Sequence, residues 1–265
     1  MASKFRTLEI SSKEFESHNL RFITVKTPHL KGRGDICVFV PPMNNLKDIP
    51  IVTLLHGVYG SAWIWTLKAG VHFTALKMME TGLIKPMVIA MPSDGLWGDG
   101  SAYLPHNNLN FEGWIVEDVI EAVIESIDCT SNQSDLFISG LSMGGYGALR
   151  LGAKYPNKYK AISGHSSITD ISQMRLFVEE NESLYVKNEC TETSVFETMI
   201  INKEQLPPIR FDCGKDDLLI AHNRTLNQQL LAAKIPHLYE EFDGKHEWEY
   251  WKKHVKDTLL FFNRS

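Results

Sequence analysis

Six runs of strand length recur along this chain: IVTLLHG (51–57), MVIAMP (87–92), DLFISG (135–140), KAISGH (160–165), IRFDCG (209–214) and HLYEEFDG (237–244). The most apolar of them lack the polar alternation of a half-solvated strand, so they suit parallel strands covered on both faces. Helical patterns lie between them, over Gly70–Thr81, Phe111–Ile127, Met143–Lys154, Leu218–Ala233 and His246–Phe262. In the second pattern Trp114, Ile115, Val119, Val123 and Ile127 fall about one turn apart. Strands alternating with helices predict an α/β fold with a mostly parallel central sheet and helices on both faces. Two earlier β-like runs, Asn19–Lys26 and Asp35–Val40, are placed as an antiparallel edge, the second ended by Pro41-Pro42.

Composition narrows the function classes. A net charge of −5, with no basic run, argues against a nucleic-acid partner. No window reaches the roughly 18 apolar residues a membrane span needs. The opening MASKFRTLEISSKEF has no apolar core and no small-residue cleavage site, so no signal peptide is visible and a cytoplasmic protein is expected. Cys37, Cys129, Cys190 and Cys213 are widely spaced without a C-x-x-C pair, which predicts neither a disulfide framework nor a zinc site. They read as small buried hydrophobes in a reducing compartment.

Two stretches interrupt the alternation. One is the Gly- and Asn-rich PSDGLWGDGSAYLPHNNLN (92–110); the other is a charged insertion over 165–208. Long irregular segments in a compact domain are commonly lids or binding loops. Neither has the composition of a linker, so residues 1–265 read as one domain, with 165–208 as a candidate cap.

The segment Gly140-Leu141-Ser142-Met143-Gly144 is a G-x-S-x-G motif. At average residue usage it arises by chance roughly 0.1 times in a chain of this length. Its setting is more telling, because a strand run precedes it and a helical pattern follows at once, as a nucleophilic serine requires. Glycines on either side let strand and helix pack close. The helix N-terminus directs free N–H groups toward developing negative charge.

A nucleophilic serine needs a base and an acid that orients it, in the order Ser, Asp/Glu, His on a hydrolase sheet. Downstream, CGKDDLL places Asp216 and Asp217 just past a strand end, and DGKHEWEYW places His246 in the loop before the last helix. His222, His237 and His254 fall within a helix, at a strand start and mid-helix. Spacing leaves Asp216 and Asp217 equivalent: one would orient His246, the other would cap the helix beginning at Leu218. For the oxyanion hole, Met143 supplies one backbone N–H as the residue after the nucleophile. Val58, in the HGVYGS loop after IVTLLHG, is the candidate for the second, and His56 is read as holding that loop. Tyr59, Trp97, Tyr103 and Trp248 are candidates to line a substrate pocket.

Taken together, GLSMGGYGAL, LLHGVYGS, CGKDDLL and IPHLYEEFDGKHEWEYW resemble the esterase D-type esterases. That group includes S-formylglutathione hydrolases, short-chain tributyrin-type esterases, feruloyl and acetyl esterases, and mycolyl-transfer enzymes. The resemblance runs from about residue 18 to the C-terminus and is weakest over 165–208. It implies an α/β-hydrolase fold and a serine esterase without cofactor or metal, acting through an acyl-enzyme on a small-molecule ester or thioester. The family's acid falls on the last residue of C-G-x-x-D, which selects Asp217. Ser142 then carries over as nucleophile, His246 as base, and Val58 and Met143 as oxyanion donors. Family analogy also leaves a homo-oligomer open, while the unusual length of the 92–110 loop prevents any substrate from being carried over. The rival readings are an acyltransferase with the same triad, a feruloyl or acetyl esterase acting on carbohydrate-linked esters, and a non-catalytic protein on a hydrolase fold.

Overall fold

A computed structural model describes residues 3–185 and 193–265. Its strands are β1 (Leu8–Ile10), β2 (Leu20–Thr27), β3 (Gly32–Phe39), β4 (Ile51–Leu55), β5 (Val88–Pro92), β6 (Pro105–His106), β7 (Leu109–Asn110), β8 (Leu136–Leu141), β9 (Ala161–His165), β10 (Ile209–Gly214) and β11 (Leu238–Phe242). Among the described residues, nine strands form one sheet in the order β1-β2-β3-β5-β4-β8-β9-β10-β11, and β6 and β7 form a separate hairpin. Pairing is antiparallel from β1 through β3 to β5 and parallel from β5 to β11. The expected parallel sheet with an antiparallel edge is therefore what forms.

The apolar runs are buried on both faces because the strand period of two feeds two separate cores. In β4, Ile51 and Leu55 join a core with Trp114, Val119 and Leu149, while Val52 and Leu54 join one with Trp65, Ala75 and Leu259. The helices supply the covering residues: α1 (Ile64–Ala69), α2 (Val71–Glu80) and α8 (Trp248–Arg264) on one side; α3 (Phe111–Gly113), α4 (Ile120–Ser126), α5 (Met143–Lys154) and α7 (Ile220–Ala232) on the other. After β4 the chain crosses to β5 on one side, and later returns as β8 on the other. The connections leaving β4 and β8 therefore diverge and open a crevice at their carboxyl ends, where open α/β sheets place their sites.

Several boundaries differ from expectation. The last helix begins at Trp248, which leaves His246 in the preceding loop, and α7 begins at Ile220. Between α3 and α4, the Phe111–Ile127 pattern widens into a π-helical segment over Trp114–Val119. There Asp118 is fully buried and accepts from Thr27, with His29 Nδ1 2.8 Å away. The 165–208 insertion is docked through Ile168, Ile171, Met174, Tyr185, Val195 and Met199, and contains α6 (Val195–Ile201). Cys37, Cys129 and Cys213 are free thiols, and Cys190 lies outside the described residues.

A buried ionic network fastens α8 to the strand ends. Asp212 of β10 receives the Tyr250 hydroxyl of α8 at 2.7 Å and lies against Arg210 and, at 2.8 Å, His165 Nδ1. His165 Nε2 in turn meets Thr258 of α8 at 2.9 Å, and Arg210 reaches Glu240 of β11 at 2.8 Å. Burial alone would raise the Asp212 carboxyl. The His165 imidazole, the Arg210 guanidinium and the Tyr250 hydroxyl outweigh burial and hold it well below the usual carboxylate range. A depressed carboxyl contributes stability above its unfolded pKa of about 3.9 and loses it as pH falls toward the folded value. Asp212→Asn is expected to lower the unfolding free energy near neutral pH by about 3–5 kcal/mol, since it removes the carboxylate that faces the buried Arg210 guanidinium. In urea titrations the gap between wild type and variant should narrow below about pH 4; a gap that does not change with pH would refute the charge argument.

Candidate active site

Ser142 closes β8 and opens α5 with φ 53° and ψ −118°. A non-glycine residue in that region carries strain of about 1–3 kcal/mol, held here by the surrounding hydrogen bonds. The Ser142 N–H donates to the His165 carbonyl at 2.9 Å, and its own carbonyl accepts from Tyr146 N and Ile168 N. The flanking glycines are sterically required. A Cβ on Gly140 would stand 2.3 Å from the Gly144 carbonyl oxygen, and one on Gly144 would stand 2.5 Å from the carbonyl oxygens of Leu55 and His56. The serine is thereby raised over the sheet while remaining only 2% exposed.

The residues nominated from the sequence converge on it. His246 Nε2 lies 3.0 Å from Ser142 Oγ, and His246 Nδ1 lies 3.0 and 2.9 Å from the two carboxylate oxygens of Asp217. This network assigns the proton to Nδ1, which leaves Nε2 free to accept from the serine. Asp217 is buried and Asp216 is exposed. The expected division of labour between them does not hold, because Asp217 Oδ1 also accepts the Leu219 N–H at 2.8 Å. One carboxylate both orients the imidazole and caps the turn into α7. Asp216 contributes its backbone N–H to the Gly244 carbonyl at 3.0 Å, and so ties the acid loop to the histidine loop.

The oxyanion candidates sit together. Gly57 brings the loop after β4 beside the nucleophile, since a Cβ built there would stand 3.3 Å from Ser142 Cβ. The N–H groups of Val58 and Met143 have no hydrogen-bond partner among the described residues. His56 is structural, as its position suggests. It is buried, with Nδ1 2.6 Å from the Gly57 carbonyl and Nε2 accepting the Asp94 N–H at 3.1 Å. Asp94 in turn accepts from Leu96 N and Ser101 N, which folds the 92–110 loop against the oxyanion loop.

The pocket candidates separate. Tyr103 does not line a pocket: it is fully buried, and its hydroxyl donates to the His56 carbonyl at 2.9 Å from beneath the loop. Trp97 packs edge-on against His106 and Tyr185 within the loop wall. Trp248 packs between Trp65 and Trp251. Tyr59 is exposed and donates its hydroxyl to the Phe177 carbonyl.

Two aromatic neighbours of the base were not nominated from the sequence. The Phe177 ring lies over His246 with centroids 5.0 Å apart, and Trp251 meets it edge-on at 4.9 Å. Phe177 belongs to the insertion, where no periodicity marks it. Trp251 follows Trp248 by three positions on α8, a helical spacing that could have drawn attention to it. Phe177 is held by a reciprocal clasp. Glu180 Oε1 accepts the Asp99 N–H at 2.9 Å, and Asp99 Oδ2 accepts the Glu179 N–H at 3.0 Å. Among the described residues no helix is long and apolar enough to cross a membrane, and no cluster of His, Cys, Asp and Glu could hold a metal ion.

Comparison with known proteins shows the family to which the chain belongs. The family described as "Putative esterase" matches residues 27–262. The chain is 26% identical over 263 residues to an acetyl esterase of Caldicellulosiruptor saccharolyticus, covering 92% of each. It is 22% identical over 238 residues to an S-formylglutathione hydrolase of Bos taurus, covering 81% of this chain and 82% of that one. A solved ferulic acid esterase superposes with a TM-score of 0.79 at 21% identity, over 98% of this chain and 99% of the other.

The dual contact of Asp217 yields a discriminating pair of variants. Asp217→Asn keeps a carbonyl for the Leu219 N–H but permits the wrong imidazole tautomer. It should slow phosphonylation of Ser142 by a fluorophosphonate about 10³–10⁴-fold. Asp216→Asn, on an exposed side chain, should stay within about twofold of wild type. Equal losses in the two variants would reject the assignment of Asp217 as the orienting acid.

Proposed function

Because this chain belongs to the esterase family and sets His246 within hydrogen-bond reach of both Ser142 and Asp217, we propose that it hydrolyses small carboxylic esters or thioesters through an acyl-enzyme. The contact that carries this reading is the 3.0 Å approach of His246 Nε2 to Ser142 Oγ. His246 takes the serine proton as Oγ attacks the ester carbonyl carbon. Asp217 holds the imidazole in its tautomer and stabilises the imidazolium. The carbonyl oxygen becomes an oxyanion bound by the N–H groups of Val58 and Met143, each such donor contributing about 2.7–4 kcal/mol in the transition state. The tetrahedral intermediate collapses, and His246 delivers its proton to the departing alcohol or thiol. Water then attacks the acyl-enzyme by the same route, releasing the acid and restoring Ser142.

The substrate is read as small on the acyl side of the scissile bond. The nucleophile is nearly enclosed, and the similarity to an acetyl esterase and an S-formylglutathione hydrolase points to short acyl groups. The leaving group must come within reach of His246 Nε2, so the Phe177 ring tilted against that imidazole borders it. The free thiols Cys37, Cys129 and Cys213 suit a reducing compartment, and we place the enzyme in the cytoplasm.

Two measurements test this. Against p-nitrophenyl esters from acetyl to octanoyl, kcat/KM should be highest for the shortest chains. Ser142→Ala should abolish turnover in a protein that still melts cooperatively. A wild type inert to every ester and to a fluorophosphonate would exclude Ser142 as nucleophile. In a second series the acyl group stays acetyl and the alcohol grows from phenyl to naphthyl. Phe177→Ala should raise the naphthyl-to-phenyl ratio of kcat/KM by about tenfold, and an unchanged ratio would remove Phe177 from the leaving-group wall.

A further inference from the structure

A cavity of about 720 Å³ opens between the β1–β2 connection and helices α1 and α2, and shares no residue with the Ser142 centre. Its volume falls in the range of small-molecule sites. Part of its wall is apolar and exposed: Phe15, Phe22, Leu67 and Phe73 are 82, 46, 71 and 52% exposed. Four such side chains around one hollow form a patch rather than scattered surface residues.

The polar part of the lining is unbalanced. Lys68 and Lys252 bring two ammonium groups, and His18 and His72 bring two imidazoles. Among the described residues none of these four side chains has a hydrogen-bond or ion-pair partner. His72 is 3% exposed with its Nδ1 buried and unpartnered, and its ring lies 3.9 Å from that of Phe73. His18 meets the Phe73 ring edge-on, at a turn where His18 and Asn19 both take positive φ, 54° and 61°. The acidic residue of the lining, Glu16, is already engaged by Arg21 at 2.9 Å and Ser11 at 2.6 Å. Unpaired cations and nitrogen donors beside an aromatic patch, with the carboxylate occupied, are complementary to one kind of guest.

We propose that this cavity binds a small amphipathic carboxylate. Its aromatic or alkyl body lies against Phe15, Phe22 and Phe73, and its anionic head faces Lys68 and Lys252. The site is independent of the Ser142 chemistry and would stand if that reading failed.

The test is calorimetric titration of the full-length protein with 1-naphthoate, alongside the neutral 1-naphthylmethanol. 1-Naphthoate should bind at one site, and about tenfold more tightly than the alcohol, as expected for a charge-assisted contact. The exposed double variant Lys68→Glu/Lys252→Glu should weaken 1-naphthoate about tenfold or more while leaving fluorophosphonate labelling of Ser142 at the wild-type rate. No binding of 1-naphthoate, equal binding of the alcohol, or equal affinity in the variant would each overturn the proposal. So would self-association in sedimentation that Phe15→Glu or Leu67→Glu abolishes, because the patch would then be covered by a second copy of the chain.

Discussion

The backbone of Ser142 is the constraint on which the rest of this structure depends. A serine at φ 53° is held against its own preference. Release is prevented from three directions. Gly140 and Gly144 bring β8, α5 and the end of β4 closer than any Cβ would allow. The Ser142 N–H is bound to the His165 carbonyl, and the Ser142 carbonyl is bound by the chain that follows β9. His165 is itself fixed by the buried Asp212 network, which also holds Tyr250 and Thr258 of α8. A local strain is thus balanced by a charge network spanning three strands and the last helix. That helix directly follows the loop carrying His246, so Ser142 and His246 are referenced to the same buried anchor.

A second layer of contacts decides what reaches the serine. The oxyanion loop is propped from below by Tyr103 and from the side by His56 and Asp94. The insertion is clasped to the 92–110 loop through backbone N–H groups and the carboxylates of Asp99 and Glu180. Each of these carboxylates binds main chain of the opposing loop, so the clasp sets the spacing of two backbones. The Tyr185 hydroxyl on the Gly100 carbonyl extends it. Through this clasp Phe177 comes to lie over His246, although the two are far apart in sequence.

Legibility of the chain followed the range of the forces involved. Buried parallel strands were readable because burial on both faces leaves an apolar run, and the elbow because its glycines and serine fall within five consecutive residues, although the contacts that require Gly144 reach to Leu55 and His56. Ser142, His246 and the Asp216-Asp217 pair could be nominated because each stands past the carboxyl end of a recognisable strand, the family resemblance selected Asp217, and the structure does bring Ser142, His246 and Asp217 together. Strand β1 escaped notice because three mostly exposed residues gain strand character only by pairing with β2. Tyr103 shows the limit of reasoning from strand ends. An aromatic there packs wherever its ring and polar edge find partners, and for Tyr103 that partner was a carbonyl beneath the loop. Phe177 was unreadable because what places it is a pair of carboxylate-to-backbone contacts across two irregular segments.

Asp217 shows why sequence spacing could not separate it from its neighbour. Both aspartates lie just past β10, and either could cap a helix. The difference arises from the turn itself, in which Asp217 N donates to the Gly214 carbonyl and Asp216 N reaches the Gly244 carbonyl. Those two bonds turn the side chain of Asp217 inward and leave that of Asp216 in water. Once buried, a carboxylate needs several donors, and Asp217 finds them in the Leu219 N–H and the imidazole Nδ1. One carboxylate therefore joins the turn into α7 to the His246 loop: Oδ1 accepts the Leu219 N–H, and both oxygens lie within 3.0 Å of the imidazole Nδ1.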